Sequence, residues 1–178
     1  MALNQAANQA AKRRAKSMEY KVGDAVFYPA AGIGTVEAVE EMHLTTHFER
    51  CYVVRVRETG VTIRIPCRSV ELTGIRPLMP GRKVRELYKI LSGPPEKRIT
   101  TNLLERCKDL AHKVNTGCPM ALGEVVRDLA RWKQQASLSF DETRLLQTAT
   151  NFLTREIAMV QGITPEVARE RIQSQLSA

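Results

Sequence analysis

The chain is poor in residues that mark common chemistries. Of its 178 residues only 5% are aromatic, one is tryptophan and three are histidine. Cysteines stand at 51, 67, 107 and 118, and none forms a Cys-x-x-Cys pair. That spacing argues against a zinc ribbon or a dithiol redox centre. His43-x-x-x-His47 has no acid or thiol suitably beside it, so two exposed loop histidines are expected rather than a zinc site. No apolar run approaches the roughly 18 residues of a membrane helix. The first 19 residues are Ala/Asn/Gln-rich and lack the apolar segment of a secretory signal. Reduced thiols in a cytoplasm are therefore expected. There is no Gly-Lys-Ser/Thr phosphate loop, and Gly32-x-Gly34 has no third glycine at Glu37 and no helix after it. Ser137 and Ser139 have no histidine nearby in sequence, and the carboxylates are scattered among basic residues. The expectation is a non-enzymatic protein without cofactor, metal or small-molecule substrate.

What is present is charge, unevenly spread. Lys and Arg number 27 against 19 Asp and Glu, a net +8. Residues 1–19 carry +3, residues 20–80 carry seven groups of each sign, and residues 81–178 carry +5. A polyanion would meet the tail and the C-terminal half first. Lys12-Arg13-Arg14-Ala15-Lys16 lies in a polar, low-complexity stretch, read as a flexible solvated tail over 1–19.

Residues 20–77 read as short strands. Ala25–Tyr28 ends at Pro29, which cannot donate to a ladder. Gly32-Ile33-Gly34 marks a bend before Thr35–Glu41. Cys51–Val56 is a β-branched run, and Glu58-Thr59-Gly60 is a hairpin turn. Val61–Ile65 alternates, with Val61, Ile63 and Ile65 on one face and Thr62 and Arg64 on the other. Such short strands with glycine turns predict a small SH3- or Tudor-like β-barrel.

Residues 78–178 read as helices. The segment 82–91 breaks at Ser92-Gly93-Pro94-Pro95, and Thr100 or Thr101 is placed to cap the next helix. That helix carries Leu103, Leu104, Cys107, Leu110 and Val114 and stops at Asn115-Thr116-Gly117. A third helix spans Met120–Gln135. Ser139-x-x-Glu142 is a capping box for a long helix closed by Gly162, and Thr164-Pro165-Glu166 starts another. The predicted class is multidomain α+β, with the barrel followed by an all-helical domain. A neutral β module, a basic helical module and a basic tail fit an adaptor with one hand for protein and one for nucleic acid.

The run from Lys21-Val22-Gly23-Asp24 through Tyr28-Pro29 to Gly32-Ile33-Gly34-Thr35-Val36 resembles the opening of the CarD/CdnL family of bacterial transcription regulators. Similarity continues at Tyr52–Val56, Ile63-Arg64-Ile65-Pro66 and Gly74-Ile75-Arg76. It resumes at Lys113-Val114-Asn115-Thr116-Gly117, Glu124–Leu129, Leu138-Ser139-x-x-Glu142 and Arg155-Glu156-Ile157-Ala158. The opening motif is shared with the transcription-repair coupling factor, whereas the helical half is specific to this family.

The resemblance implies a non-enzymatic regulator whose Tudor-like domain adds a strand to the β subunit of bacterial RNA polymerase. Val61, Thr62, Ile63, Arg64 and Ile65 match the contacting strand, and a second family arginine falls at Met42. It also implies that the helical domain grips promoter DNA at the upstream edge of the melted bubble through a tryptophan wedge, which here falls at Leu103. Arg106 and Lys108 match basic family positions, and Glu105 replaces one. Leu103 fits an apolar wedge or a core position with Leu104 and Cys107. Trp132 fits helix packing or a displaced DNA contact. Two other readings stand beside this one: a polymerase-binding adaptor without DNA binding, and an RNA- or ribosome-binding SH3-like module supported by charge alone.

Overall fold

The computed structural model describes residues 19–44, 47–95 and 102–177. The basic tail, apart from Glu19, and the threonines expected as caps, Thr100 and Thr101, lie outside the described residues.

Five antiparallel strands form one sheet: β1 (Ala25–Tyr28), β2 (Gly32–Leu44), β3 (His47–Val56), β4 (Thr62–Pro66) and β5 (Arg76–Pro77), in the order β4-β3-β2-β1-β5. The long β2–β3 hairpin extends well past its neighbours. His43 pairs with Phe48 and Leu44 with His47 in its register, so the two histidines stand on strands and not in a loop. On the exposed end of this hairpin the His43 ring meets Phe48 edge to face, 4.9 Å between centroids. A bulge between Val36 and Ala38 bends β2. Gly34 is required beside it, because a Cβ there would collide with the Val54 side chain and lie 3.0 Å from the Arg55 carbonyl. The fourth strand starts at Thr62. Val61 stands just outside it, but its carbonyl still accepts from the Val56 N–H at 2.8 Å.

One face of the sheet buries Val26, Val36, Tyr52, Val54 and Ile65 with Tyr20, Val70 and Ile75. The Tyr20 hydroxyl donates to the Ile75 carbonyl at 3.1 Å. Burial, then the nearby Tyr52, push its pKa up to about 12. A 3-10 turn at Cys67–Ser69 and a four-residue helix α1 (Val70–Thr73) link β4 to β5; neither has a clear periodicity in the sequence.

Five helices follow: α2 (Gly81–Ser92), α3 (Leu103–Asn115), α4 (Pro119–Gln135), α5 (Phe140–Gln161) and α6 (Pro165–Leu176). The side chain of Asn102 caps α3 by accepting from the Leu104 N–H at 3.0 Å. The capping box of α5 is complete: Ser139 Oγ accepts from the Glu142 N–H, and the Glu142 carboxylate accepts from the Ser139 N–H at 2.9 Å. Leu87, Leu91, Leu122, Val125, Leu153, Ile157 and Ile172 fill the helical core.

The two halves share that core. Successive residues of β1 point opposite ways, so Val26 enters the sheet's own core while Phe27 enters the helical one, with Ile33. Phe27 meets Phe152 of α5 edge to face, 5.1 Å between centroids. Above this ring lies a polar knot. Arg76 of β5 donates from both Nη atoms to buried Glu156 of α5, at 2.6 and 2.8 Å, and from Nε to the Gly117 carbonyl at 2.7 Å. Its guanidinium sits 4.3 Å from the Phe27 centroid. Glu156 also accepts from the Met79 N–H at 2.7 Å. Gly117 has φ 64°, and a Cβ there would press on Pro29 at 2.7 Å and Phe27 at 2.9 Å. Glycine ends α3 and lets the chain pass against β1.

Candidate protein-binding edge and nucleic-acid interface

Strand β4 is hydrogen-bonded on one side only, to β3, through Cys51↔Pro66, Tyr52↔Ile65, Val53↔Arg64, Val54↔Ile63 and Arg55↔Thr62. Its other side is a sheet edge, a template of backbone donors and acceptors. Ile65 is buried and Ile63 half-buried, whereas Thr62 and Arg64 face outward. The Arg64 side chain is 49% exposed, and its one ion pair among the described residues is a 3.4 Å contact with similarly exposed Glu40. Such a pair contributes little and is released easily. Met42 stands opposite Glu49, whose carboxylate is held by Arg68 at 2.5 Å. Burial raises the Cys51 thiol pKa, and nearby Glu49 adds to the shift.

The second candidate surface is the start of α3. Leu103 is 47% exposed and Leu104 64%. Leu103 lies seven residues before core Leu110, on nearly the same azimuth. Its exposure nevertheless shows that Leu103 is no buried core residue. Leu104 does not pack inward; it is the more exposed of the two. Lys108, one helical turn past Leu104 on the same face, is exposed and makes no side-chain pairing among the described residues.

Arg106 is placed differently. Its side chain is only 14% exposed, with Nε 2.6 Å from Glu142 Oε1 and the guanidinium 4.9 Å from the Trp132 centroid. It joins α3 to the first turn of α5 over a packed indole, an arrangement that directs it inward rather than to phosphate. Trp132 is half-buried under it as packing. Burial raises the Glu142 carboxyl pKa, but the Ser139 N–H and Arg106 outweigh that and hold it below the usual carboxylate range. The arginine's inward role has no signature in α3, since its partner lies 36 residues away. Sequence reasoning also passed over Phe140, which stands exposed at the first position of α5. Its signal was its place outside the Leu145–Leu146–Ala149–Phe152 stripe.

Among the described residues no group of three His, Cys, Asp or Glu could hold a metal ion, and no helix is long and apolar enough to cross a membrane. Residues 20–79 match the family model described as the CarD-like/TRCF RID domain, and residues 86–173 match that of the CarD C-terminal domain. The chain is 30% identical over 145 residues to YdeB of Bacillus subtilis (strain 168), whose name proposes a transcription factor; the match covers 82% of this chain and 94% of the relative. Both modules are present in order, each on the part of the fold where its geometry lies, and the chain belongs to the CarD family of transcription regulators.

Proposed function

We propose that this protein binds the β subunit of bacterial RNA polymerase through the free edge of β4 and touches promoter DNA at the upstream edge of the bubble through the start of α3. It thereby slows closure of the open complex. The carrying observation is the β4 edge: a strand paired with β3 alone among the described residues, with Arg64 turned outward, in a module matching the CarD-like/TRCF RID family. Backbone ladders supply affinity there, and Thr62 and Arg64 supply selectivity, with Val61, Ile63 and Ile65 flanking them. On the DNA side the contacts are Leu103, assisted by Leu104, and Lys108. Arg106 acts by fixing the start of α3. Contacts of this kind read groove shape and phosphate more than base sequence. The work is done in the cytoplasm, where the polymerase is.

A second reading, a polymerase-bound adaptor without DNA binding, is supported by the inward Arg106 and the exposed acid Glu105. Two measurements test these readings. Co-purification with core polymerase tests the shared part. Competitor-challenged lifetimes of promoter complexes separate the two, since lengthening is expected only if the helical end meets DNA. Unchanged lifetimes with intact polymerase binding would leave the adaptor.

A further inference from the structure

Helices α3 and α5 run side by side in the same direction. Arg106 and Glu142 join their first turns at 2.6 Å, and at the far end Arg76 touches both the Gly117 carbonyl beyond α3 and Glu156 on α5. Their N-terminal ends therefore emerge together, about 10 Å apart at the usual spacing of packed helices. Three large apolar side chains stand exposed at this one end: Leu103, Leu104 and, at 82%, Phe140. Phe140 has no part in capping, which Ser139 and Glu142 complete between them.

The two helix starts repeat one arrangement. Leu104 is followed four residues later by exposed Lys108, and Phe140 four residues later by Arg144, 69% exposed. Residues four apart share a helix face, so each helix presents an apolar tip with a cation one turn behind it. The exposed acids at this end, Glu105 and Asp141, lie in the first turns beside buried Glu142, and Asp141 makes an exposed 3.8 Å contact with Arg144. They repel phosphate from the tips themselves. A ligand that fits must offer apolar faces to the tips and negative charge a turn further back.

We infer that Phe140 is a DNA-contacting residue: its ring stacks on an unpaired or partly unstacked base, with Arg144 on the adjoining phosphate, so that the α3–α5 end favours a duplex-to-single-strand junction over fully paired duplex. This rests on the DNA-binding reading above and adds a second helix to it. An aromatic ring stacks on any base, so the preference is for exposed bases and not for a sequence.

The test uses the full chain and fluorescence anisotropy with two labelled DNAs of equal length, one forked and one fully paired. The unaltered protein should bind the fork more tightly. Phe140→Ala should weaken fork binding about tenfold, equivalent to about 1.4 kcal/mol, and change duplex binding less than twofold. Phe140→Tyr should keep fork binding, and both variants should melt with the parent because the ring is exposed. If the parent binds fork and Phe140→Ala binds it equally well, Phe140 is no contact, and DNA binding through Leu103 and Lys108 survives. An equal loss on fork and duplex overturns base stacking. If the parent binds neither DNA, the DNA-binding reading itself fails and takes this inference with it. A change in sedimentation from dimer to monomer in Phe140→Ala, with DNA binding unaltered, would assign the ring to a second copy of the chain instead.

Discussion

The β4 edge offers a partner its backbone, whereas the α3–α5 end offers side chains on two helix starts. The contrast has consequences for sequence drift. A backbone ladder keeps its donors and acceptors whatever the side chains become, so methionine at Met42, where an arginine is expected from the resemblance, would remove one proposed contact and leave the strand edge as it is. At the helical end every contact proposed above is a side chain, so leucine at Leu103 changes the proposed surface itself. The apolar area there is spread over Leu103, Leu104 and Phe140 rather than concentrated in one indole.

The two surfaces are joined through one buried core and the Arg76–Glu156 pair, and the largest expected effect comes from breaking that joint. Glu156→Ala leaves Arg76 without its carboxylate in a mostly buried site. Removing one partner of a buried pair costs about 3–5 kcal/mol. A urea melt should show that loss, and both surfaces should fail together. Retention of one surface at a urea concentration where the other is lost would show two independent units.

Glu142→Gln attacks only the helical end. It should cost about 1.5–3 kcal/mol at neutral pH, the range for a hydrogen bond to a charged group. The folded carboxyl titrates below its ordinary value, so its contribution is complete above the unfolded pKa and is lost as pH falls through the folded one. Melts of parent and variant should therefore converge in acid. A gap that stays constant down to pH 3 would mean that ionisation of Glu142 is not what stabilises this end.

Arg64→Glu attacks only the edge. It should reduce β-subunit binding about tenfold, a typical cost of reversing a charge at a complementary interface, with DNA affinity and melting unchanged. Undiminished binding in a pull-down would remove Arg64 from the site. Lys108→Ala should weaken DNA binding a few-fold on unrelated sequences and reduce the salt slope by about 0.9. An unchanged slope would mean that Lys108 meets no phosphate. The smallest effect is on stability in Leu103→Ala. A half-exposed leucine should lose less than about 1 kcal/mol, against 2–5 for a buried one, while promoter-complex lifetime shortens. A large melting shift would return Leu103 to the core.

Local signals carried most of the fold. The alternation over Val61–Ile65, the Ser139–Glu142 box and the closing glycines Gly117 and Gly162 each act within a few residues; the box and the glycines are where their patterns place them, and the strand starts one residue late, at Thr62. Interactions between distant residues were not legible. Arg76 and Glu156 look like two ordinary charges until the fold brings them together across 80 residues. Phe27 alternates correctly, but alternation does not say that helices cover its face. At the candidate site, β4 and the outward face of Arg64 could be read from period two, whereas a contact role for Arg64 came only from the resemblance. Leu103 could not be placed, because period alone marks it as core whereas the fold leaves it half-exposed. Arg106 counts as a surface cation until Glu142 and Trp132 are seen beside it.

The shared burial of Phe27 and Arg76 has a mechanical consequence. The stretch from sheet to helices, Pro77-Leu78-Met79-Pro80, is bounded by prolines and pinned at the Met79 amide by Glu156. Little remains there to bend. A protein held at one end by an enzyme and at the other by DNA would act as a gauge of fixed length, registering where the helix has opened by its distance from the enzyme. Lengthening that stretch by a few glycines would turn the gauge into a tether: it would stay attached at both ends, yet no longer resist a small displacement between them.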